Sequence, residues 1–309
     1  MQYLIIGAGG TGGCLAGYLA KAGKEVTLIA RGAHLEAIQA NGLTIERLHD
    51  TLQTPVEAMT EQEYIRQERK ADVIFVCVKG YSLESVYGLL EKASHAKTVI
   101  IPILNIYGTG EKIAKVFPDL EVLNGCIYIA GERVRPGVLK LSGDIFRIVY
   151  GRTDGDTGNP VFHQIARDLE ESGILPILSE NVRRDTFQKY SFVSPMAAVG
   201  AYCDSNAGDA KRPGEVREMF IACIREIDAL ANAMGIPFTV DIVETNLKIM
   251  DDLADACTAS MQKDLARGGE TEMDGLIFEV VRMGRQYGVP VPTYEKIAAK
   301  FGFAAGEEK

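Results

Sequence analysis

The feature that most constrains this chain is a glycine-rich segment, Gly7-Ala8-Gly9-Gly10-Thr11-Gly12, which directly follows an apolar run at residues 3–6. The pattern G-x-G-x-x-G is weak evidence alone, but between a first strand and a first helix it is typical of dinucleotide-binding domains. There Gly7 permits a tight turn, Gly9 lets the backbone approach a pyrophosphate, and Gly12 lets the helix pack against the strand. The helix N-terminus would offer N–H groups to the phosphates. We predict dinucleotide binding here; a glycine turn without a ligand is the alternative.

Apolar runs and helical patterns alternate along the first half of the chain. Strands are predicted at 3–6, 25–30, 72–78, 98–103 and 174–178, helices at 10–22, 83–92 and 160–172, a short strand pair at 43–57, and several strands over 121–150. Such alternation indicates a parallel sheet with helices on its faces. From about residue 183 the apolar residues recur with a helical period of 3.6. We therefore predict an α/β chain, with a Rossmann-type doubly wound sheet over 1–180 followed by an all-helical domain over 181–309.

The bulk properties narrow the class of protein. A net charge of −9 at pH 7 disfavours nucleic acid or an anionic membrane as a partner. The apolar runs are under ten residues long, too short to span a bilayer. Because the chain starts almost on a strand, it leaves no room for a signal peptide. We expect a soluble, cytoplasmic protein. The apolar helix faces after residue 183 are compatible with a homodimer and equally with packing inside one chain.

Neither the cysteines nor the histidines indicate a metal site. The six cysteines include no Cys-x-x-Cys pair, and Cys14, Cys77 and Cys126 lie in apolar runs. We interpret them as reduced core residues. The four histidines are scattered along the chain. We therefore predict no metal centre.

The end of the second predicted strand bears on the choice of cofactor. NAD enzymes usually carry an acidic residue there for the ribose 2′-hydroxyl, whereas this chain has Ala30 followed by Arg31. A carboxylate would repel a 2′-phosphate, but a guanidinium binds it through two hydrogen bonds. We therefore predict NADPH rather than NADH, with a solvated surface arginine as the alternative.

Two polar residues follow the next two strands. Lys79 comes directly after 72–78, and Asn105 follows 98–103. Ligands of open α/β sheets bind at the carboxyl ends of the strands. Lys79 could thus reach a phosphate or a substrate carboxylate, and Asn105 the ribose or the nicotinamide. By position alone, solvated side chains are equally compatible.

These pieces, in this order, resemble the ketopantoate reductase (2-dehydropantoate 2-reductase) family. The segments that carry the resemblance span essentially the whole chain: Ile6–Gly12, Val26–Arg31, Val76–Lys79, Asn105 with Gly108, Lys189 within 187–190, Ser260-Met261 and Thr271–Asp274. The resemblance implies an NADP-binding Rossmann domain, here 1–180, joined to a helical substrate and catalytic domain, here 181–309. It also implies NADPH-dependent reduction of ketopantoate to pantoate, a step of pantothenate biosynthesis.

Carried over residue by residue, the resemblance assigns chemical roles. Lys189 would be the general acid that protonates the ketone oxygen, with Glu272 near it steadying charge and position. Ser260 would contact the substrate carboxylate, while Lys79 and Asn105 would line the nicotinamide end. A cation beside the ketone oxygen stabilises the developing alkoxide and delivers a proton. Without the resemblance, Lys189 would be interpreted as a surface lysine and Glu272 as a first-turn acid.

The chain departs from the family pattern near the lysine. The family has substrate-binding asparagines four and eight residues after it, where this chain has Val193 and Ala197. Asn206 would replace a further family asparagine if a one-residue gap is allowed. A site built for a hydroxyl discriminates through polar groups that its absence leaves unpaired. We expect the reaction type to be retained, with either ketopantoate or a larger, more apolar 2-oxo acid as the substrate.

Two further functions stay open at this point. An opine-type dehydrogenase would reduce an imine with the same cofactor. A dinucleotide-binding sensor would bind the cofactor without turnover. Lys189 and Glu272 favour an enzyme, because a sensor needs no proton donor.

Overall fold

The computed structural model describes residues 1–303 and divides into two compact units. The α/β unit comprises Met1–Leu104 and Gly108–Val182, and the helical unit comprises Asn105–Tyr107 and the chain from Arg183 onward. The predicted boundary at 180/181 lies two residues before the division at 182/183. Residues 304–309 of the predicted C-terminal domain lie outside the described residues.

A parallel six-stranded sheet forms the centre of the α/β unit. Its order is β5-β2-β1-β6-β7-β8, with β1 Gln2–Ile6, β2 Glu25–Ile29, β5 Glu57–Met59, β6 Val73–Val76, β7 Val99–Pro102 and β8 Glu121–Val122. Every residue of β6 is buried, as expected for a strand covered on both faces. The predicted fold class is confirmed.

Two smaller sheets complete this unit. The strands β3 Leu43–Glu46, β4 Thr51–Thr54, β10 Gly131–Arg135 and β11 Val138–Leu141 form one, and β9 Asn124–Tyr128, β12 Arg147–Gly151 and β13 Leu175–Leu178 form the other. The strand pair predicted at 43–57 is formed by β3 and β4, but residue 57 already belongs to β5. That strand joins the main sheet because it pairs in parallel with β2.

Six helices cover the sheets of the α/β unit. They are α1 Gly10–Lys21, α2 Gly32–Asn41, α3 Glu61–Arg66, α4 Tyr87–Ala93, α5 Thr109–Val116 and α6 Pro160–Glu171. The start of the helix predicted at 83–92 forms a 3₁₀ turn, Glu84–Val86, and α4 itself begins at Tyr87. The buried Asp168 ties α6 to β1 by accepting a hydrogen bond from Tyr3 (2.7 Å), and it also accepts one from Lys24, just before β2 (2.8 Å).

The second unit is helical throughout its regular structure among residues 183–303. Its helices are α7 Val182–Cys203, α8 Ala207–Lys211, α9 Glu215–Ala233, α10 Ile242–Asp252, α11 Ser260–Ala266, α12 Glu279–Tyr287 and α13 Pro292–Lys300, with a π-helix at Asp274–Phe278. Their apolar faces meet in one core, which the partly buried Ile106 and Tyr107 join.

Helix α7 continues through Pro195. Proline has no N–H, so the carbonyl of Ser191, four residues earlier, loses its helical partner. The side-chain amide of Asn246, only 1% exposed, donates to that carbonyl at 3.0 Å. The hydroxyl of Ser194 donates to the Leu276 carbonyl at 2.6 Å. The Asn246 bond offsets the interruption and ties α7 to α10, and the Ser194 bond ties α7 to the π-helix.

Among residues 1–303 no helix is both long enough and apolar enough to cross a bilayer. The same residues contain no group of three or more His, Cys, Asp or Glu side chains placed to hold a metal ion. The cysteines are free thiols. Burial raises the pKa of Cys14 to about 12, which keeps this thiol protonated and unreactive at neutral pH.

Candidate functional site

Three strand ends gather the predicted cofactor residues at one edge of the main sheet. Ile6, the last residue of β1, pairs with Ile29 of β2 and with Val76 of β6. These strands are parallel, so the segments that follow them lie at the same carboxyl edge of the sheet: the glycine loop, Arg31 and Lys79. In doubly wound sheets this edge binds the ligand.

The glycine loop has the backbone geometry of a phosphate cradle. Gly7 has φ +106°, a conformation that disfavours any residue with a side chain. A Cβ at Gly12 would lie 2.1 Å from the Gly7 carbonyl oxygen, so α1 can start this close to the loop only with glycine there. A Cβ at Gly9 would meet nothing within 4 Å, so the backbone faces open space at that point.

The start of α1 carries no group that competes with an anion. Its N-cap, Gly9, has no side chain to accept from the first-turn N–H groups, and no acidic residue lies in the first turn. The cap therefore supplies no side-chain acceptor to those N–H groups, which lie at the positive end of the helix dipole. The open backbone at Gly9 and this uncapped helix fit the pyrophosphate of a dinucleotide.

Arg31 is exposed and forms the N-cap of α2, and its side chain makes no capping hydrogen bond. No acidic residue lies in the first turn of α2. Within residues 1–303 Arg31 makes no ion pair, and the preceding Ala30 is buried. The end of β2 thus presents a positive side chain where NAD enzymes present a negative one.

Lys79 stands just after the last pairing of β6. The N–H of Cys77 donates to the Ile6 carbonyl at 2.8 Å, which prolongs the contact between the two strands up to the glycine loop. Two residues later Lys79 caps a 3₁₀ turn, Gly80–Ser82, and is half-buried. Its position is consistent with the predicted contact to a cofactor phosphate or to a substrate.

In the helical unit the structure brings Lys189 and Asn105 together. Lys189 lies on α7, is 9% exposed, and donates from Nζ to Asn105 Oδ1 at 2.8 Å. Asn105 follows β7 by only three residues, yet it belongs to the helical unit. The prediction linked Asn105 to the nicotinamide and missed this pairing. The two residues are 84 positions apart, and nothing local in the sequence indicates that they meet.

Glu272 is 3% exposed and, up to residue 303, is one of three buried charged residues of this unit, with Lys189 and with Glu226 of α9. The Glu272 carbonyl accepts from Leu276 N at 2.9 Å, at the start of the π-helix. Tyr190, next to Lys189 in sequence, donates from its hydroxyl to the Gly275 carbonyl at 2.7 Å. The segments that bear the buried cation and the buried carboxylate are therefore tied to each other, and π-helical turns frequently occur at functional sites.

The predicted substrate residues occupy different environments. Ser260 is exposed as the first residue of α11, and Val193 on α7 is half-buried. Ala197 is 1% exposed in the core of the unit, so Val193 is better placed than Ala197 to touch a bound molecule. Asn206 is exposed and caps α8, accepting from Asp209 N at 3.2 Å. A local role thus accounts for the Asn206 oxygen, and its substrate role stays a prediction.

Comparison with known proteins shows which protein family this chain resembles. The family described as "Ketopantoate reductase PanE/ApbA" matches residues 3–155, and the family described as its C-terminal part matches 181–303. An uncharacterized oxidoreductase of Bacillus subtilis, YkpB, is 26% identical over 100% of both chains. A 2-dehydropantoate 2-reductase of Mesorhizobium japonicum is 26% identical over 97% of this chain and 96% of its own.

A solved structure agrees with these matches. The crystal structure of 2-dehydropantoate 2-reductase from Methylococcus capsulatus superimposes with a TM-score of 0.86 at 26% identity, and it covers 97% of this chain and 96% of its own. Both family matches and the full-length relatives agree with the fold shared with this solved structure. The chain therefore belongs to the ketopantoate reductase family of oxidoreductases.

Proposed function

We propose that this protein reduces a 2-oxo acid to a 2-hydroxy acid with NADPH. The observation that carries the proposal is the buried Lys189 ammonium, which Asn105 holds at 2.8 Å. A buried lysine beside a neutral amide is suited to giving a proton to a ketone oxygen. The names of the Mesorhizobium and Methylococcus relatives make ketopantoate the first substrate to test, and its product would enter pantothenate synthesis.

The choice of NADPH rests on Arg31. A ribose 2′-phosphate carries close to two negative charges at neutral pH. The exposed guanidinium of Arg31 and the lack of acidic residues in the first turn of α2 favour that phosphate. The glycine loop would hold the pyrophosphate, and Lys79 the nicotinamide end.

The nicotinamide dinucleotide, when bound, supplies the hydride that reaches the 2-carbon. Lys189 would donate its proton to the ketone oxygen as the C=O bond is reduced, so that a hydroxyl and a neutral amine result. The Asn105 amide oxygen accepts one N–H of Lys189 and so fixes the direction of Nζ. The buried Glu272 carboxylate would balance the ammonium, since an unbalanced charge is costly at low exposure.

Val193 and Ala197 bear on the identity of the substrate. Neither side chain can form a hydrogen bond, whereas the family pattern has substrate-binding asparagines at these two positions. A pocket wall with an apolar side chain discriminates weakly against a hydroxyl. We therefore propose that an apolar 2-oxo acid is accepted at least as well as ketopantoate, with the Ser260 hydroxyl on the carboxylate in either case.

The decisive experiment follows NADPH oxidation with ketopantoate, with longer apolar 2-oxo acids, and with the same acids plus an amine. Turnover of any 2-oxo acid supports the proposal, and the ranking identifies the class. Turnover only when an amine is added would assign imine reduction instead. Tight NADPH binding with no turnover on any compound would assign a sensor and overturn the proposed reaction.

A further inference from the structure

A hairpin that lies outside the predicted cofactor residues passes directly over the glycine loop. It consists of β10 and β11, an antiparallel pair. A Cβ at Gly10 would lie 2.1 Å from the Gly131 carbonyl oxygen, and a Cβ at Gly131 would lie 2.7 Å from the Gly10 carbonyl oxygen. The backbone of β10 therefore touches the loop, and the side-chain direction of residue 131 points towards it.

The far end of the same hairpin reaches the first turn of α2. Gly137 donates from its N–H to His34 Nδ1 at 2.9 Å. A Cβ at Gly137 would lie 3.0 Å from the Ala37 Cβ. The strand β10 thus runs from the glycine loop to the helix whose N-cap is Arg31.

Arg133 lies on β10 between these two anchors. Alternate residues of a strand point to the same face of the sheet, so the Arg133 side chain projects from the same face as the side-chain direction of Gly131. The pKa of His34 is lowered, first by burial and then by the charge of Arg133, which is consistent with a guanidinium close to that first turn of α2.

Arg133 differs from its neighbour Arg135 in what it contacts. Arg135 makes an ion pair with Glu46 at 3.3 Å. Arg133 is exposed and makes no ion pair with any residue of 1–303. A positive side chain beside a dinucleotide loop, without a carboxylate to neutralise it, is available to an anionic ligand.

We infer that Arg133 is a second cation for the ribose 2′-phosphate, acting with Arg31 from the opposite side. The inference deepens the proposed NADPH dependence and rests on it. Arg31 extends from the end of β2, whereas Arg133 extends from a strand of another sheet, so the phosphate would be held by two independent elements. One arginine alone gives a preference for NADPH, and the second strengthens it.

Calorimetric titration with two small ligands tests this directly. The ligand 2′,5′-ADP carries the 2′-phosphate, and 5′-AMP does not. The Arg133→Gln variant should bind 2′,5′-ADP about tenfold more weakly, as expected for a lost charge-assisted hydrogen bond near the surface, with 5′-AMP changed less than about twofold. Arg135→Gln, in the same hairpin but already paired, is the matched control and should leave both affinities unchanged.

The possible failures are distinguishable. Equal weakening of both ligands in Arg133→Gln would place this arginine on the 5′-phosphate and overturn the inference. An unchanged preference for 2′,5′-ADP in Arg133→Gln, with loss of the preference in Arg31→Gln, would overturn the inference and leave the proposed NADPH dependence intact. A wild-type protein that binds both ligands equally would contradict the NADPH preference itself and the inference with it.

Discussion

The two units of this enzyme differ in the kind of group that carries function. In the α/β unit most candidate contacts come from backbone, at the glycine loop and the uncapped start of α1. In the helical unit they come from buried charged side chains, Lys189 and Glu272. Backbone sites depend on where glycine permits close approach, so they leave a pattern in the sequence. Side-chain sites depend on packing that brings distant residues together, and they leave hardly any.

The largest expected effect tests the side-chain site. In Lys189→Ala the proton donor is lost, and we expect kcat/KM to fall by roughly 10² to 10⁴. The dissociation constant for NADPH, measured by fluorescence titration, should stay within about twofold, because the glycine loop belongs to the other unit. Lys211→Ala is the control, since Lys211 is paired at 2.9 Å with the exposed Asp255. Loss of NADPH affinity in Lys189→Ala would show that the two functions are not divided between the two units.

The second prediction tests the backbone site. A Cβ in Gly12→Ala would meet the Gly7 carbonyl oxygen at 2.1 Å, so α1 must shift away from the loop. Overpacking of this kind costs about 1–3 kcal/mol, and we expect NADPH to bind roughly tenfold to a hundredfold more weakly. Gly88→Ala, on α4 with nothing within 4 Å of its Cβ, should bind normally. Unchanged NADPH binding in Gly12→Ala would show that the loop tolerates a side chain.

The third prediction addresses the pairing that the sequence did not reveal. Asn105→Ala removes the acceptor of Lys189, so the ammonium loses its fixed direction. We expect kcat to fall about tenfold, in the range of one hydrogen bond to a charged group, with a smaller change in KM. Asn232→Ala removes an amide that donates to the Asp228 carbonyl of its own helix at 2.8 Å, and it should leave kcat unchanged. A purely structural role for Asn105 would instead lower the unfolding temperature and spare kcat.

The smallest expected effect concerns the pH dependence of the α/β unit. Burial raises the pKa of Asp168, but hydrogen bonds from Lys24, Tyr3 and Gln164 outweigh it, so the pKa is lowered overall. A lowered pKa stabilises the folded state above the unfolded value of about 4, and this contribution is lost as the pH falls below it. In denaturant unfolding at several pH values, Asp168→Asn should be less stable than wild type at pH 7, with the gap narrowing near pH 3.

The control for the Asp168 prediction is Glu171, the second carboxylate that contacts Lys24. Glu171 also contacts Lys24, but its side chain is 63% exposed. Because exposed ion pairs contribute little, Glu171→Gln should change the unfolding free energy less than Asp168→Asn at every pH. Equal effects of the two substitutions would show that burial of Asp168 is not what matters.

Much of the fold follows from local pattern. The strands β1 and β2 and the helix α1 begin and end within one residue of their predicted bounds, because period and glycine placement are local signals. The strand β5 was not separated from the pair before it, since only its pairing with β2 distinguishes it. The carbonyl left unbonded by Pro195 finds its partner in Asn246, 55 positions from Ser191.

The candidate site shows the same division. Arg31 and the glycine loop are identified by their place after a strand, and the structure puts them at one sheet edge. The contact of the β10–β11 hairpin with the loop joins Gly10 to Gly131 across more than a hundred positions of sequence. The Lys189–Asn105 bond likewise depends on tertiary packing. Only the resemblance to a family pointed to Lys189 at all.

The discontinuity of the helical unit has a consequence for protein engineering. A gene fragment that starts at residue 183 encodes the helices but not residues 105–107. A chimera that joins this helical part to the N-terminal half of a relative would inherit that relative's own tripeptide beside Lys189. Grafts of catalytic specificity between such enzymes should therefore exchange Asn105, Ile106 and Tyr107 together with the C-terminal half.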